Sequence, residues 1–277
     1  TGAMNNTTTT TKFSLAHRFG AWWSRQREAR QREGLRRRCP PATVAADQIP
    51  AAVRSAWAHH APDEFPGLPV DDAAWLRCSL GLAQFFEACR LQRGQGACAL
   101  PSKAADSVWH TWLALDPVGL ANWQQRCFGF EVPHREAEAL EAPLDDCLAR
   151  TWAGSCRSEG LDLLGLRLPL LFALDGRLQL PAGWTYSFEK GGLVHRQNDG
   201  FGRPIGSAIA HAAAAGAGLV ALGLISQAEL TELQRRQAAD GGTSTGWSSG
   251  DGGCDASASS DGGGSSCGGS GCGGGGD

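Results

Sequence analysis

The sequence predicts a mainly helical α+β fold with a small β part. Apolar residues recur at helical spacing between residues 49 and 156, and helix-capping residues precede several of these runs. From 168 to 197 the apolar runs are shorter and are separated by turn-forming pairs, a pattern typical of β-hairpins. The chain of 277 residues is 42% apolar, with ten Trp and ten Phe, so it is long enough to bury one full core.

The predicted helices have recognisable start and stop residues. The first spans Ile49 to about His60 and ends by Pro62, and the second begins at Asp71 or Asp72 and reaches about Gly94. The sequence predicts three further helices, one capped by Ser102 and running to Leu115, one over 118–128, and one from Pro143 to about Cys156.

The β part is predicted as two hairpins near 168–197. The first joins 169–174 to 177–180 through a turn at Asp175-Gly176, and the second joins 184–188 to 193–197. A segment rich in Ala and Gly follows at 205–239, with a small-residue helix near 205–235. Its uncharged stretch 205–225 is long enough for a membrane span, but the weak apolarity of Ala and Gly favours a helix packed in a core or on a partner.

The two ends of the chain differ in composition from the middle. Residues 1–11 are interpreted as a cloning remnant and a disordered polar leader, followed at 12–41 by a basic amphipathic helix. Residues 12–38 hold nine Lys or Arg and two Glu, so this helix either packs on the body or contacts anionic lipid, RNA or an acidic partner. Residues 240–277 include 16 Gly and are expected to form a disordered Gly/Ser/Cys tail.

These composition shifts place the predicted core domain at residues 42–204. A net charge of −3 argues against a specific nucleic-acid binder. The apolar stretch near the start is too interrupted for a secretory signal, so we expect a cytoplasmic protein. Association with a membrane surface is a further expectation. In the cytoplasm the thiols between Cys39 and Cys156 should be reduced. The tail thiols Cys254, Cys267 and Cys272 could bind a soft metal, form mixed disulfides or be modified to azoles, or could simply lie on a solvated chain.

One motif in the predicted core contains residue types that bind metals or take part in catalysis. Asp106 and His110 are four residues apart on one helix face, with Trp109 between them, and Cys127 and His134 follow. His110, Cys127 and His134 could together hold Zn or Fe. Alternatively, Cys127, His110 and Asp106 form a nucleophile, base and orienting group, or Trp109 is a core anchor and His110 a hydrogen-bonded structural group. The sequence contains no nucleophile elbow, Walker loop, CxxC or HExxH motif.

The stretch from Pro101 to His134 resembles the glycine-rich domain-containing protein family. That family has a D-x-x-W-H helix, followed by an aromatic-containing helix, a Cys, a Gly and a His. The Gly/Cys-rich tail and the segment around Leu168–Phe172 are similar to bacterial members, whereas Trp112 and Trp123 depart from the usual pattern. The resemblance implies an interaction module and no particular reaction.

The leading prediction from sequence is therefore a non-catalytic interaction or scaffold module. The expected partner is another protein or a second copy of the chain, with an anionic membrane surface as a further partner of residues 12–38. One alternative is a metal-binding protein or metal-dependent enzyme centred on His110, Cys127 and His134. The other alternative is a peripheral membrane-associated protein.

Overall fold

The computed structural model describes residues 36–135, 139–140, 142–189 and 192–241, together with helical residues 26, 29, 30, 33 and 34. Helices and a small antiparallel sheet confirm the predicted mainly helical α+β class. Within the described residues the helices are α1 (Pro40–Ala46), α2 (Ala51–Glu64), α3 (Asp72–Leu91), α4 (Lys103–Leu115), α5 (Pro117–Phe128), α6 (Leu144–Glu159), α7 (Leu170–Leu178), α8 (Gly216–Ala221) and α9 (Gln227–Gly241). The strands are β1 (Trp184–Glu189), β2 (Gly192–Asn198) and β3 (Pro204–Ala210).

Helix α3 is the centre of the fold. It is buried continuously from Cys78 to Cys89 and packs against α1, α4, α6 and α7. Its crossing with α6 is close, because a Cβ atom on Gly154 would lie 2.7 Å from the backbone oxygen of Ala88. A glycine at this position therefore lets the two helix backbones approach each other.

Aromatic side chains fill the space between α2, α3, α4 and α5. Trp57, Trp112 and Trp123 are fully buried, and Trp112 and Trp123 pack with ring centroids 4.9 Å apart. Two indole groups also hold helices together: Trp57 Nε1 donates to Ser107 Oγ at 2.8 Å, and Trp123 Nε1 donates to Ala45 O at 3.0 Å. These two bonds fix α2 against α4 and α5 against α1.

The sheet has the order β1-β2-β3, and both strand pairs are antiparallel. Trp184 pairs with Gln197 at one end of the first ladder and Phe188 with Leu193 near the other. The sheet packs on the helices through its aromatic residues, since Tyr186 lies 5.0 Å from Phe172 of α7, measured between ring centroids. The predicted pairing of 184–188 with 193–197 is thus confirmed.

The hairpin predicted over 169–180 is wrong, because this segment forms helix α7. A short apolar run cannot be assigned to a strand or to a buried helix by its pattern alone. The run contains Leu, Phe and Ala but no β-branched residue, a composition that favours a helix. Asp175 and Gly176 lie within the helix, and the chain leaves it at Gln179, which has a φ of 50°.

The single small-residue helix predicted near 205–235 is also wrong. The segment forms strand β3, a 3-10 turn over Ala212–Ala214, and the separate helices α8 and α9. Gly206 and Gly223 have φ values of +74° and +67°, which a continuous helix does not allow. Among the described helices, none has the length and apolar character needed to cross a bilayer.

The predictions for the chain ends fall largely outside the described residues. Of the basic segment 12–41, residues 26, 29–30, 33–34 and 36–38 are helical, and α1 begins at Pro40. Residues 1–11 and 242–277, including the tail thiols Cys254, Cys267 and Cys272, are outside the described part of the chain.

Candidate metal centre

Helix α4 carries Asp106 and His110 on one face. The predicted cap is present, since Ser102 Oγ accepts from Ala105 N at 3.2 Å. Between the two functional residues, Trp109 is buried against Phe85 and Phe86 of α3, with ring centroids 5.5 and 4.9 Å away. Trp109 is therefore part of the core, and its packing sets the rotation of α4 about its axis.

His134 reaches the same place from the loop after α5. Gln124 of α5 holds this loop, because its Oε1 accepts from Val132 N at 2.7 Å. The His134 ring stands edge-on to Trp109, with centroids 4.8 Å apart and planes at 88°. One buried indole thus supports both the helix and the loop residue.

The side chains of Asp106, His110 and His134 converge on one point. The two Nε2 atoms of the histidines lie 3.0 Å apart, His134 Nε2 lies 3.2 Å from Asp106 Oδ1, and His110 Nε2 lies 3.4 Å from Asp106 Oδ2. Metal–nitrogen distances of 2.0–2.1 Å in a tetrahedral zinc site imply ligand separations of about 3.3 Å. The three side chains therefore have the spacing that ligands of one small divalent ion would have.

Glu64 orients His110 from behind. It lies in the last turn of α2, and its Oε1 is hydrogen-bonded to His110 Nδ1. If Nδ1 carries the proton that Glu64 accepts, Nε2 presents its lone pair to Asp106 and His134. A carboxylate on the far nitrogen is the usual companion of a metal-binding histidine. Sequence reasoning missed Glu64 because the helix was expected to end by Pro62, whereas α2 continues through that proline.

Cys127 does not belong to this cluster. Its Sγ lies 3.6 Å from Gln48 Oε1. Among the described residues, the acidic and histidine side chains whose ligand atoms all lie within 4.8 Å of one another are those of Asp106, His110 and His134. Burial raises the pKa of the Cys127 thiol, which also disfavours a thiolate ligand or nucleophile there. In this arrangement Asp106 takes the place that the sequence analysis gave to Cys127.

A family model described as UCP032817-like matches residues 56–209, which is more than half of the chain. The chain belongs to the UCP032817-like family. No match was found among curated proteins or among solved structures. The matched range contains the whole cluster, and it does not support the glycine-rich domain name, so that resemblance stays a hypothesis.

In this UCP032817-like chain the cluster borders a cavity of about 590 Å³. Asp106 and His134 line the cavity, together with Trp109. Further around its wall the lining includes the aromatic residues Phe85, Phe130, Trp184 and Tyr186. A volume in this range suits a small organic molecule.

The cavity wall also holds a thiol pair, Cys89 and Cys98. A hydrogen bond from Cys89 lowers the pKa of Cys98, and Thr151 and the Arg150 charge act in the same direction against desolvation. Burial raises the pKa of the other six described cysteines. Cys98 is therefore the described cysteine with the greatest thiolate character.

We expect iodoacetamide at pH 7.5 to label Cys98 several-fold faster than Cys127, since the thiolate is the reactive form. Both side chains are partly exposed, so the reagent can reach each thiol. Peptide mass spectrometry over a time course gives the two rates. Cys89→Ala should slow the labelling of Cys98, whereas Cys89→Ser keeps a hydrogen-bond donor and should slow it less. Equal rates at Cys98 and Cys127 would contradict the assignment.

Proposed function

We propose that this protein binds one divalent first-row metal ion, Zn²⁺ or Fe²⁺, through Asp106, His110 and His134. The proposal depends on one observation: beside a cavity, the side-chain nitrogen and oxygen atoms of these residues approach to 3.0–3.4 Å, and one ligand atom from each lies within 4.8 Å of the others. Two imidazoles and one carboxylate form a set that suits both metals.

We further propose that the ion serves a metal-dependent enzyme acting on a small molecule in the cavity. Structural zinc sites are closed by four protein ligands, whereas catalytic sites keep a position open for water or substrate. Here three ligands converge, and two of them line the cavity wall. The side chains of Asp106, His110 and His134 are 28%, 27% and 17% exposed, so a molecule in the cavity can approach them.

The test is metal stoichiometry on protein purified without a metal-affinity step or chelator. Plasma mass spectrometry and calorimetric titration with Zn²⁺, and with Fe²⁺ under anaerobic conditions, should give one equivalent bound in the wild type. Asp106→Asn and His134→Ala should each weaken the binding by about 100-fold or more, because each removes one of three ligands.

Two controls identify the ligand set. Cys127→Ser should bind metal as the wild type does, and so should the variant in which Cys254, Cys267 and Cys272 are all Ser. Circular dichroism confirms that each variant is folded. Absence of binding in the folded wild type, or loss of binding in Cys127→Ser, would refute the proposed centre.

The interaction-module interpretation stays a prediction, as do the membrane surface and protein partners. Its main segments, the basic helix at 12–41 and the Gly/Cys tail at 240–277, lie largely outside the described residues. The metal-centred function is preferred because the spacing of Asp106, His110 and His134 favours a shared ion.

A further inference from the structure

A second pair of histidines lies on the sheet side of the cavity. His195 is in β2, and His211 follows β3 directly. Their rings are stacked, with centroids 4.9 Å apart and planes at 24°. His195 Nδ1 lies 2.8 Å from His211 Nε2, and His211 Nδ1 lies 2.7 Å from Asp145 Oδ1 in the first turn of α6.

The hydrogen bonds determine which ring nitrogen carries the hydrogen in each of these two histidines. Asp145 is held by a second bond, from Ala213 N to Oδ2 at 2.9 Å, and His211 is only 5% exposed. The Asp145 carboxylate accepts a hydrogen bond at each oxygen, so His211 carries its hydrogen on Nδ1 and presents a lone pair at Nε2. His195 must then donate from Nδ1, which leaves its own Nε2 as an unprotonated base.

His195 Nε2 has no hydrogen-bond partner among the described residues, and His195 lines the cavity that Asp106 and His134 also line. The His195 ring contacts the rings of Trp184 and Tyr186 of β1, and the His211 ring stacks on it. Burial, followed by the neighbouring His211, lowers the pKa of His195, which keeps it neutral near pH 7. The ionisable groups that share the cavity wall are Cys89, Arg93, Cys98, Asp106, Glu131, His134, Arg135 and Tyr186.

We propose that His195 is the general base of this cavity, positioned by His211 and Asp145, and that it activates water for hydrolysis of a small molecule. The hydrolytic assignment rests on the metal-dependent function proposed above, because a bound ion would polarise the group under attack while a neutral imidazole takes a proton from water. The assignment of His195 as an oriented base rests on the hydrogen bonds alone.

For hydrolysis of an acyl ester, one proton cycles through His195. His195 Nε2 accepts a proton from a water molecule as the water oxygen forms a bond to the acyl carbon. The bond from that carbon to the leaving oxygen then breaks, and Nε2 returns the proton to the leaving oxygen. The products are a carboxylic acid and an alcohol, and His195 is again neutral.

The first test reads the tautomer of His195 in metal-free protein. Long-range ¹H–¹⁵N correlation spectra in the presence of a chelator should show His195 with hydrogen on Nδ1 and none on Nε2. Exposed His59 in α2 should show the average of the two tautomers. A His195 that carries its hydrogen on Nε2 would overturn the proposal whether or not the protein binds metal.

Asp145→Asn makes this test directional. The Asn amide donates to His211 Nδ1, which moves the His211 hydrogen to Nε2 and forces the His195 hydrogen from Nδ1 to Nε2. Asp146→Asn, at the next position in the same helical turn, should leave both tautomers unchanged. An unchanged His195 tautomer in Asp145→Asn would contradict the proposed chain of hydrogen bonds.

The second test measures hydrolysis of p-nitrophenyl acetate by Zn²⁺-loaded protein. His195→Gln should lower kcat by about 10²–10⁴-fold with Zn²⁺ affinity unchanged by calorimetry, and Asp145→Asn should lower kcat with a shifted pH profile. If the wild type binds no Zn²⁺, the proposed metal function fails while the spectra still decide the role of His195. If Zn²⁺ binds and the ester is not hydrolysed, the hydrolytic assignment is overturned.

Discussion

Replacing Asp175 with Ala should destabilise the protein by about 3–5 kcal/mol. The side chain is 1% exposed and accepts four hydrogen bonds. Its Oδ1 accepts from Ser102 Oγ at 2.6 Å and from Ala104 N at 3.1 Å, and its Oδ2 accepts from Lys103 N and Trp184 N, each at 3.1 Å. Truncation leaves two buried and two half-buried donors without an acceptor, and each orphaned buried donor costs about 1–3 kcal/mol.

The same carboxylate positions the candidate site, since it joins α7 to the N-terminus of α4 and to the start of β1. A negative charge at this helix end also complements the helix dipole. Urea unfolding followed by circular dichroism gives the free energy of unfolding. Asp116→Ala is the matched control, because Asp116 caps α5 through one exposed bond to Gly119 N and its loss should cost only about 1 kcal/mol. Similar losses in the two variants would contradict the central role of Asp175.

The helical part of the fold could be predicted because its local and long-range preferences agree. Asp71 and Ser102 both act as the caps that their positions indicate, accepting from Ala74 N at 2.8 Å and Ala105 N at 3.2 Å. Helical spacing of apolar residues then continues long enough to exclude a strand. By contrast, the nine residues of α7 are too few for their period to decide, and their helical state depends on burial against α3 and β1.

Strand β3 shows a different limit. Its residues Pro204–Ala210 are mostly exposed, so no alternation of apolar and polar residues marks them. The segment is a strand because it pairs with the edge of β2. This partner lies several residues away, so the composition of the segment alone does not predict it. His211 was consequently assigned to a helix, and its contact with Asp145, 66 residues earlier, could not be foreseen.

The candidate site divides in the same way. Asp106 and His110 share a helix face by spacing alone, and this part of the cluster could be read from the sequence. His134 was grouped with them, but the choice between Asp106 and Cys127 as the third member depends on the rotation of α5, which directs Cys127 towards Gln48. The orienting Glu64 required knowing that α2 continues past Pro62.

The second large effect that we expect is stabilisation of the fold by metal. A free Zn²⁺ concentration 100 times the dissociation constant should raise the free energy of unfolding by about 2.7 kcal/mol, because the folded chain alone has the three ligands assembled. For a chain of this size the midpoint of thermal unfolding should rise by about 5–10 °C. Differential scanning calorimetry with and without Zn²⁺ measures the shift.

The variants connect this stabilisation to the proposed ligands. His134→Ala should abolish the Zn²⁺-dependent shift, and Glu64→Gln should reduce it, since loss of a partner behind a metal-binding histidine weakens binding by about 10–100-fold. His60→Ala removes an exposed histidine of α2 that contacts His59 and not the cluster, so it controls for histidine loss in the unfolded chain. A full Zn²⁺ shift in His134→Ala would place the metal elsewhere. If Zn²⁺ shifts the midpoint of neither the wild type nor His60→Ala, no ion joins His110 and His134. Their Nε2 atoms are then joined by a hydrogen bond, in which one of the two nitrogens carries the proton.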